Sequence, residues 1–289
     1  MRVMYVAEIV GKVGIYSFRK ALPELKSRYP WDFLIACADG ATGGGGLGRN
    51  HAAYLHKLGA NVLTTGENCF FKKDLTESIE KLPFVLRPDN LNPQAPGFGS
   101  RIYKAAGKKI AVAVLLGQNG FGRLRSSSPF AVLPALLERL RQETPYVIID
   151  FHAQATAEKK TLFFAADGRC SAVIGSHTRV QTSDNRIFPG GTAVICDAGR
   201  TGSTESVGGC DTITRIQEYL TGVPEWTKDA WEKPELQGVY FELDDNGKAR
   251  SIERVRIPIS VAPESPSAKI HGGESHNDET AEEKESDDI

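Results

Sequence analysis

Tyr146-Val147-Ile148-Ile149-Asp150-Phe151-His152 and Ser171-Ala172-Val173-Ile174-Gly175-Ser176-His177-Thr178-Arg179 are built alike: a short apolar run delivers a histidine just past its end. Apolar runs of this length, rich in β-branched residues and bounded by polar ones, read as buried strands. Strands that run parallel collect their carboxyl ends on one edge, and the side chains just beyond converge on a crevice. Two imidazoles arriving there are candidate metal ligands.

Other strand-like runs deliver acids in the same way. Residues 3–7 lead into Glu8, residues 33–38 into Asp39, and residues 61–66 into Glu67 and Asn68. A shell of mixed carboxylate and imidazole suits Zn, Mn or Fe better than Ca or Mg, because borderline cations favour nitrogen while hard ones want oxygen alone. One such residue by itself is better explained as a helix cap or a hydrogen-bonded loop residue. Five strand ends doing the same favour the metal.

The 289 residues are 40% hydrophobic, enough for one sizeable core, and short apolar runs alternating with helical spacing predict an α/β fold. Helices are predicted over 15–28, 50–58, 74–81, 130–142, 156–164 and 211–220. After Gly107, the runs 110–116, 192–196, 239–243 and 252–259 are expected to form a second sheet, giving a two-sheet sandwich with helices outside. Residues 1–262 are read as a single domain. Residues 263–289 hold nine acids and two lysines with hardly an apolar residue, so this tail is expected to be disordered, with His271 and His276 solvated. The remaining body has 33 basic and 27 acidic residues, a small surplus that suits an anionic substrate but is more often incidental. Five cysteines without paired spacing, no room for a signal peptide before Arg2, and no apolar run near the length of a membrane span predict a cytoplasmic protein.

The phrases Gly66-Glu67-Asn68, Leu86-Arg87-Pro88-Asp89-Asn90, Asp150-Phe151-His152-Ala153-Gln154-Ala155-Thr156, and the stretch from Gly175-Ser176-His177-Thr178-Arg179 to Asp184-Asn185-Arg186-Ile187 resemble the YmdB-like branch of the calcineurin-like metallophosphoesterases, a bacterial family. The similarity runs from Met1 to about Ile259 almost without gaps. It implies a four-layer αββα sandwich of two mixed sheets flanked by helices. It also implies a di-metal phosphodiesterase acting on cyclic nucleotides.

The metal-binding pattern of that family is altered here. Glu8 stands where the family has Asp, Asp39 where it has the metal-bridging Glu, and Gly40 where it has Asn. Glu67 replaces a metal-binding Asn, Asn68 the general-acid His, and Arg179 the last His; His152 and His177 are unchanged. Asp39, Glu67, His152 and His177 can still hold one divalent cation, Fe, Mn or Zn. Glu8 is left as a doubtful ligand of a second site, because a guanidinium has no lone pair to donate. The expectation is therefore one metal per chain, with Asn68 and Arg179 as candidate catalytic residues.

Two readings of Arg179 stay open: a phosphate-binding stand-in for the lost metal, or an ion pair with Glu8 that only preserves the fold. Asp150 is read as orienting ligands from behind. Asn185 and Arg186 either touch substrate or cap a loop. Cys69 is read as a packing residue more readily than as a ligand or nucleophile. The glycines at 43–48 suggest a mobile loop over the crevice, and the segment 117–122 a loop bordering the site or an oligomer contact; neither completes a nucleotide-binding fingerprint. No Gly-x-Ser-x-Gly elbow exists to supply a serine nucleophile. Two functions follow: a metal-dependent phosphodiesterase acting on a cyclic nucleotide or related small anionic phosphodiester, or a catalytically decayed relative that binds a nucleotide, RNA or a protein. A homo-oligomer stays open.

Overall fold

The computed structural model describes residues 1–260 except 123 and 227; the acidic tail with His271 and His276 lies outside the described residues. In chain order the strands are β1 (Arg2–Val6), β2 (Glu8–Ile9), β3 (Phe33–Cys37), β4 (Val62–Thr64), β5 (Val85–Leu86), β6 (Ser100–Ala105), β7 (Lys108–Leu116), β8 (Val147–His152), β9 (Ala172–Ser176), β10 (Arg186–Ile187), β11 (Ala193–Ile195), β12 (Arg200–Ser203), β13 (Pro234–Leu243) and β14 (Ala249–Pro258). The helices are α1 (Gly11–Arg28), α2 (Arg49–Lys57), α3 (Lys73–Thr76), α4 (Pro129–Glu143), α5 (Thr156–Ala166) and α6 (Thr212–Thr221).

Both sheets are built around a parallel run. In the first, β1, β3, β4 and β5 are parallel, and β13 closes antiparallel onto β1. In the second, β7, β8, β9 and β11 are parallel, with β6 and β10 antiparallel at the edges. The parallel strands are apolar on both faces because each sheet is covered on both sides. In β1, Val3 and Tyr5 face the layer between the sheets, where they meet Val112, Ile148 and Ile174, while Met4 and Val6 face α1 through Phe18 and Leu25. On the far side, Leu133, Leu137 and Phe163 of α4 and α5 cover Val147, Ile149 and Val173. The order is helix, sheet, sheet, helix, the predicted four layers.

The division of strands between the sheets differs from the expectation. β13 and β14 belong to the first sheet, and the second is built by the histidine-bearing β8 and β9. β13 is buried along nearly its whole length, and such a strand shows the same apolar run whichever sheet it joins, so periodicity does not assign it; β14 follows β13 as its antiparallel partner. The predicted helix over 74–81 stops early, at Thr76, and resumes as a 3-10 turn at Ile79–Lys81. Ser78 Oγ bonds the Asp74 carbonyl at this break, a serine competing for the helical backbone. No helix of the described residues is long and apolar enough to cross a membrane.

Candidate functional site

The acids arrive from one sheet and the histidines from the other. Asp39, past the end of β3, is fully buried; its Oδ1 accepts the Gly66 N–H at 2.6 Å, and its Oδ2 accepts the Asn68 N–H at 3.2 Å and Nδ2–H at 2.9 Å. Burial, then the neighbouring Glu67 charge, push the Asp39 carboxyl up to about 7. Gly66 has no substitute: a Cβ there would lie 2.2 Å from His152 Cδ2 and 2.3 Å from Nε2. The imidazole ring lies directly against the Gly66 backbone.

Proton logic fixes how His152 presents itself. Tyr5 and Thr64 donate their hydroxyls to Asp150 Oδ2 at 2.7 and 2.5 Å, and Ser176 donates to Asp150 Oδ1 at 2.7 Å. With its one proton committed, Ser176 Oγ must accept at 2.9 Å from His152 Nδ1, which leaves Nε2 turned toward the crevice. Asp150 therefore orients the His152 ring from behind, through Ser176.

Three donors then meet. His152 Nε2 hydrogen-bonds Glu67 Oε2, His177 Nδ1 lies 3.3 Å from Glu67 Oε1, and one ligand atom from each of the three residues falls within 4.8 Å of the others. Asp39 Oδ2 is 3.8 Å from His152 Nε2. Burial would raise the Glu67 carboxyl, but the His152 charge and hydrogen bonds from both histidines hold it well below the usual carboxylate range. Burial would likewise lower His152, but the Glu67 charge outweighs it and holds the imidazole well above its usual range. A carboxylate and two imidazoles this close, aimed by a buried network, fit one borderline divalent cation.

The opposite end of the crevice is closed by a cation of the chain itself. Arg179 Nε and Nη2 both donate to Glu8 Oε1, at 2.9 and 2.7 Å; Nη2 also reaches the Gly44 carbonyl at 2.9 Å, and Nη1 the Gly208 carbonyl at 3.0 Å. Among the described residues these bonds use four of its five N–H groups, leaving one on Nη1. Gly40 makes the room, since a Cβ there would lie 2.8 Å from Arg179 Nη2 and 2.9 Å from Glu8 Oε1. Glu8 Oε2 is buried without a hydrogen-bond partner among the described residues. The Gly43 to Gly48 loop is tied down by the Gly44 contact and by Gly46 N–H donating to the Asp39 carbonyl.

Two residues not singled out in the sequence hold the histidine loop. His177 and Arg179 both have left-handed backbones, φ 94° and 59°, a conformation costly for residues with a Cβ. Asp197 Oδ2 accepts the Thr178 N–H at 2.9 Å and hydroxyl at 2.6 Å, and also Lys159 Nζ at 3.0 Å. Lys159 Nζ reaches the Ser176 carbonyl at 2.8 Å as well. The ammonium and carboxylate are both almost wholly buried.

Phe121 packs edge-on to His177, centroids 4.8 Å apart, so the segment 117–122 does border the site. Cys69 packs with Leu91 and Leu116, and burial pushes its thiol far up, which fits a packing residue and not a thiolate ligand. Asn185 and Arg186 are not brought to the cluster. The Asn185 amide donates to the Ile252 carbonyl at 3.2 Å and the Arg186 guanidinium lies over Phe188, both lining a separate cleft of about 280 Å³ with Phe163 and Val194 of the outer layer.

Residues 4–255 match the family model described as YmdB-like protein. The chain is 38% identical, over 89% of its own length and 97% of the relative's, to the 2′,3′-cyclic-nucleotide 2′-phosphodiesterase of Bacillus subtilis strain 168. A novel phosphatase from Mycoplasma pneumoniae superposes with a TM-score of 0.83 at 33% identity, covering 89% of this chain and 93% of that one. A hypothetical protein from Thermus thermophilus does so at 0.82 and 30%, covering 89% and 99%. With sequence and fold matching along nearly the whole of both partners, the chain belongs to the YmdB-like protein family.

Proposed function

We propose that the protein is a metal-dependent phosphodiesterase that opens 2′,3′-cyclic nucleotides at the 2′ ester, using one divalent transition ion, Fe, Mn or Zn, held by Glu67, His152 and His177 with Asp39 beside them. The convergence of those three donor atoms carries the reading. A cation held there supplies Lewis-acid polarisation of the phosphoryl group and a nucleophilic water of lowered pKa. Water adds to phosphorus, the P–O2′ bond breaks, and a nucleoside 3′-phosphate with a free 2′-hydroxyl is left.

The residues divide the remaining work. Asn68 donates from Nδ2 to both Asp39 and Glu67 at 2.9 Å, which spaces two carboxylates that would otherwise repel. An amide has no proton to give the leaving oxygen, so that proton comes from solvent. A strained five-membered cyclic ester suits this arrangement, because ring opening eases departure of the leaving oxygen. Arg179 has one donor left over, so its charge acts on the field of the crevice and not as a bidentate phosphate grip.

The second reading, a decayed relative that binds nucleotide without turning it over, draws on the same two residues, the amide at the general-acid position and the tied guanidinium. Incubating the purified full chain with Mn and 2′,3′-cyclic AMP separates the two. Stoichiometric 3′-AMP is expected, whereas nucleotide binding without product would establish decay.

Metal uptake is expected to stop at one ion per chain by elemental analysis, two tightly held ions being the contrary result. Its pH dependence has a definite sign. The proton that Glu67 stabilises on His152 must leave before Nε2 can ligate, so affinity should rise by about tenfold per pH unit through neutrality. Calorimetry in buffers of different ionisation enthalpy should register about one proton released; a pH-independent affinity would show that His152 is not a ligand.

A further inference from the structure

The helix α6 is mounted inside out. Its residues Asp211, Thr214, Arg215 and Glu218, at i, i+3, i+4 and i+7, are the half-covered ones against the body, while Ile213, Ile216 and Leu220 face outward. No residue of the helix is buried. Amphipathic surface helices place their faces the other way round, and ten residues form a marginal helix in water without packing. Tyr219 beside the stripe is 86% exposed, and Val223 and Trp226 just beyond it 58% and 97%.

We infer that this face is covered by a second copy of the chain, α6 crossing α6 antiparallel about a two-fold axis near Ile216. Three observations favour that occupant. The six side chains present on the order of 700 Å² of apolar surface, beyond the largest patch of a typical monomer and close to one partner's share of a standard interface. The spacing 213, 216, 220 is the alternating three-and-four step of a two-helix seam, and an antiparallel two-fold sets Ile213 against Leu220. Charge argues against nucleic acid or an anionic membrane: the helix's one cation, Arg215, is paired with Glu218 at 2.5 Å. The adjoining cleft of about 500 Å³ is lined by Glu205, Asp211 and Glu232. Those acids lie near the amino end of α6, and antiparallel crossing keeps the two acidic ends apart.

The interface would bear on the crevice through a single loop. Gly208, whose carbonyl holds Arg179, lies in the segment leading straight into α6. Docking of α6 would stiffen that tether.

Sedimentation velocity on the full chain at micromolar concentrations is expected to give twice the chain mass. Ile216→Glu should sediment as a monomer with an unchanged far-UV spectrum, its dissociation constant raised by about a hundredfold or more. Should that variant misfold, Tyr219→Ala and Trp226→Ala must each weaken the dimer measurably. A monomeric wild type, or a dimer indifferent to all three substitutions, overturns the inference. Flotation of a monomeric wild type with phosphatidylcholine vesicles would reassign the face to lipid.

Discussion

His152→Ala is expected to strip the metal and lower turnover of 2′,3′-cyclic AMP by about a thousandfold or more, the equivalent of the several kcal/mol a catalytic ion supplies. The residue is singular because its geometry is determined from both sides. Its Nδ1 is fixed through Ser176 to Asp150, and its Nε2 points at Glu67. Ser176→Ala should have a milder effect, about 10- to 100-fold in metal affinity, since it frees the ring without deleting it. Retained metal and rate in purified His152→Ala would remove the centre proposed here.

Arg179→Ala is expected to cost about 3–5 kcal/mol of stability, because it strands the Glu8 carboxylate, 1% exposed, without its counter-charge. For a chain of this size that is a fall in melting temperature of roughly 6–20 °C. Pairing the substitution with Glu8→Gln should restore much of the loss, since no buried charge then remains. Turnover per folded molecule decides the arginine's role. A clamp leaves it within a few-fold of wild type, whereas a rate that collapses while the metal stays bound would make Arg179 a group acting on the phosphate.

The strand ends of the crevice were legible because parallel strands covered on both faces are continuous apolar runs, and a His or acid after such a run is conspicuous. The i, i+2 spacing of Asp150 and His152 places both on one face of β8, the face on which Ser176 links them. Ser176, Tyr5 and Thr64, which complete that network, come from three other strands and carry no local signal. Lys159 and Asp197 are equally silent, a lysine within a helix and an acid after a strand 38 positions later, joined only by tertiary packing. Asn185 and Arg186 sit in a phrase typical of the family, yet that phrase leads into β10 at the sheet edge and away from the Glu67, His152 and His177 cluster. Partner choice misled at β13, where register with β1 is settled by contacts more than 200 residues apart.

The Arg179–Glu8 pair in the space left by Gly40 changes where the crevice obtains its positive charge. A bound ion is drawn from the surroundings, competes with other metals and can be withdrawn by a chelator. A guanidinium is inherited with the chain, made at translation and unable to exchange. On the function proposed above, metal starvation empties the Glu67 end while the Glu8 end keeps its charge and its tether to both loops, so half of the crevice stays assembled without an ion.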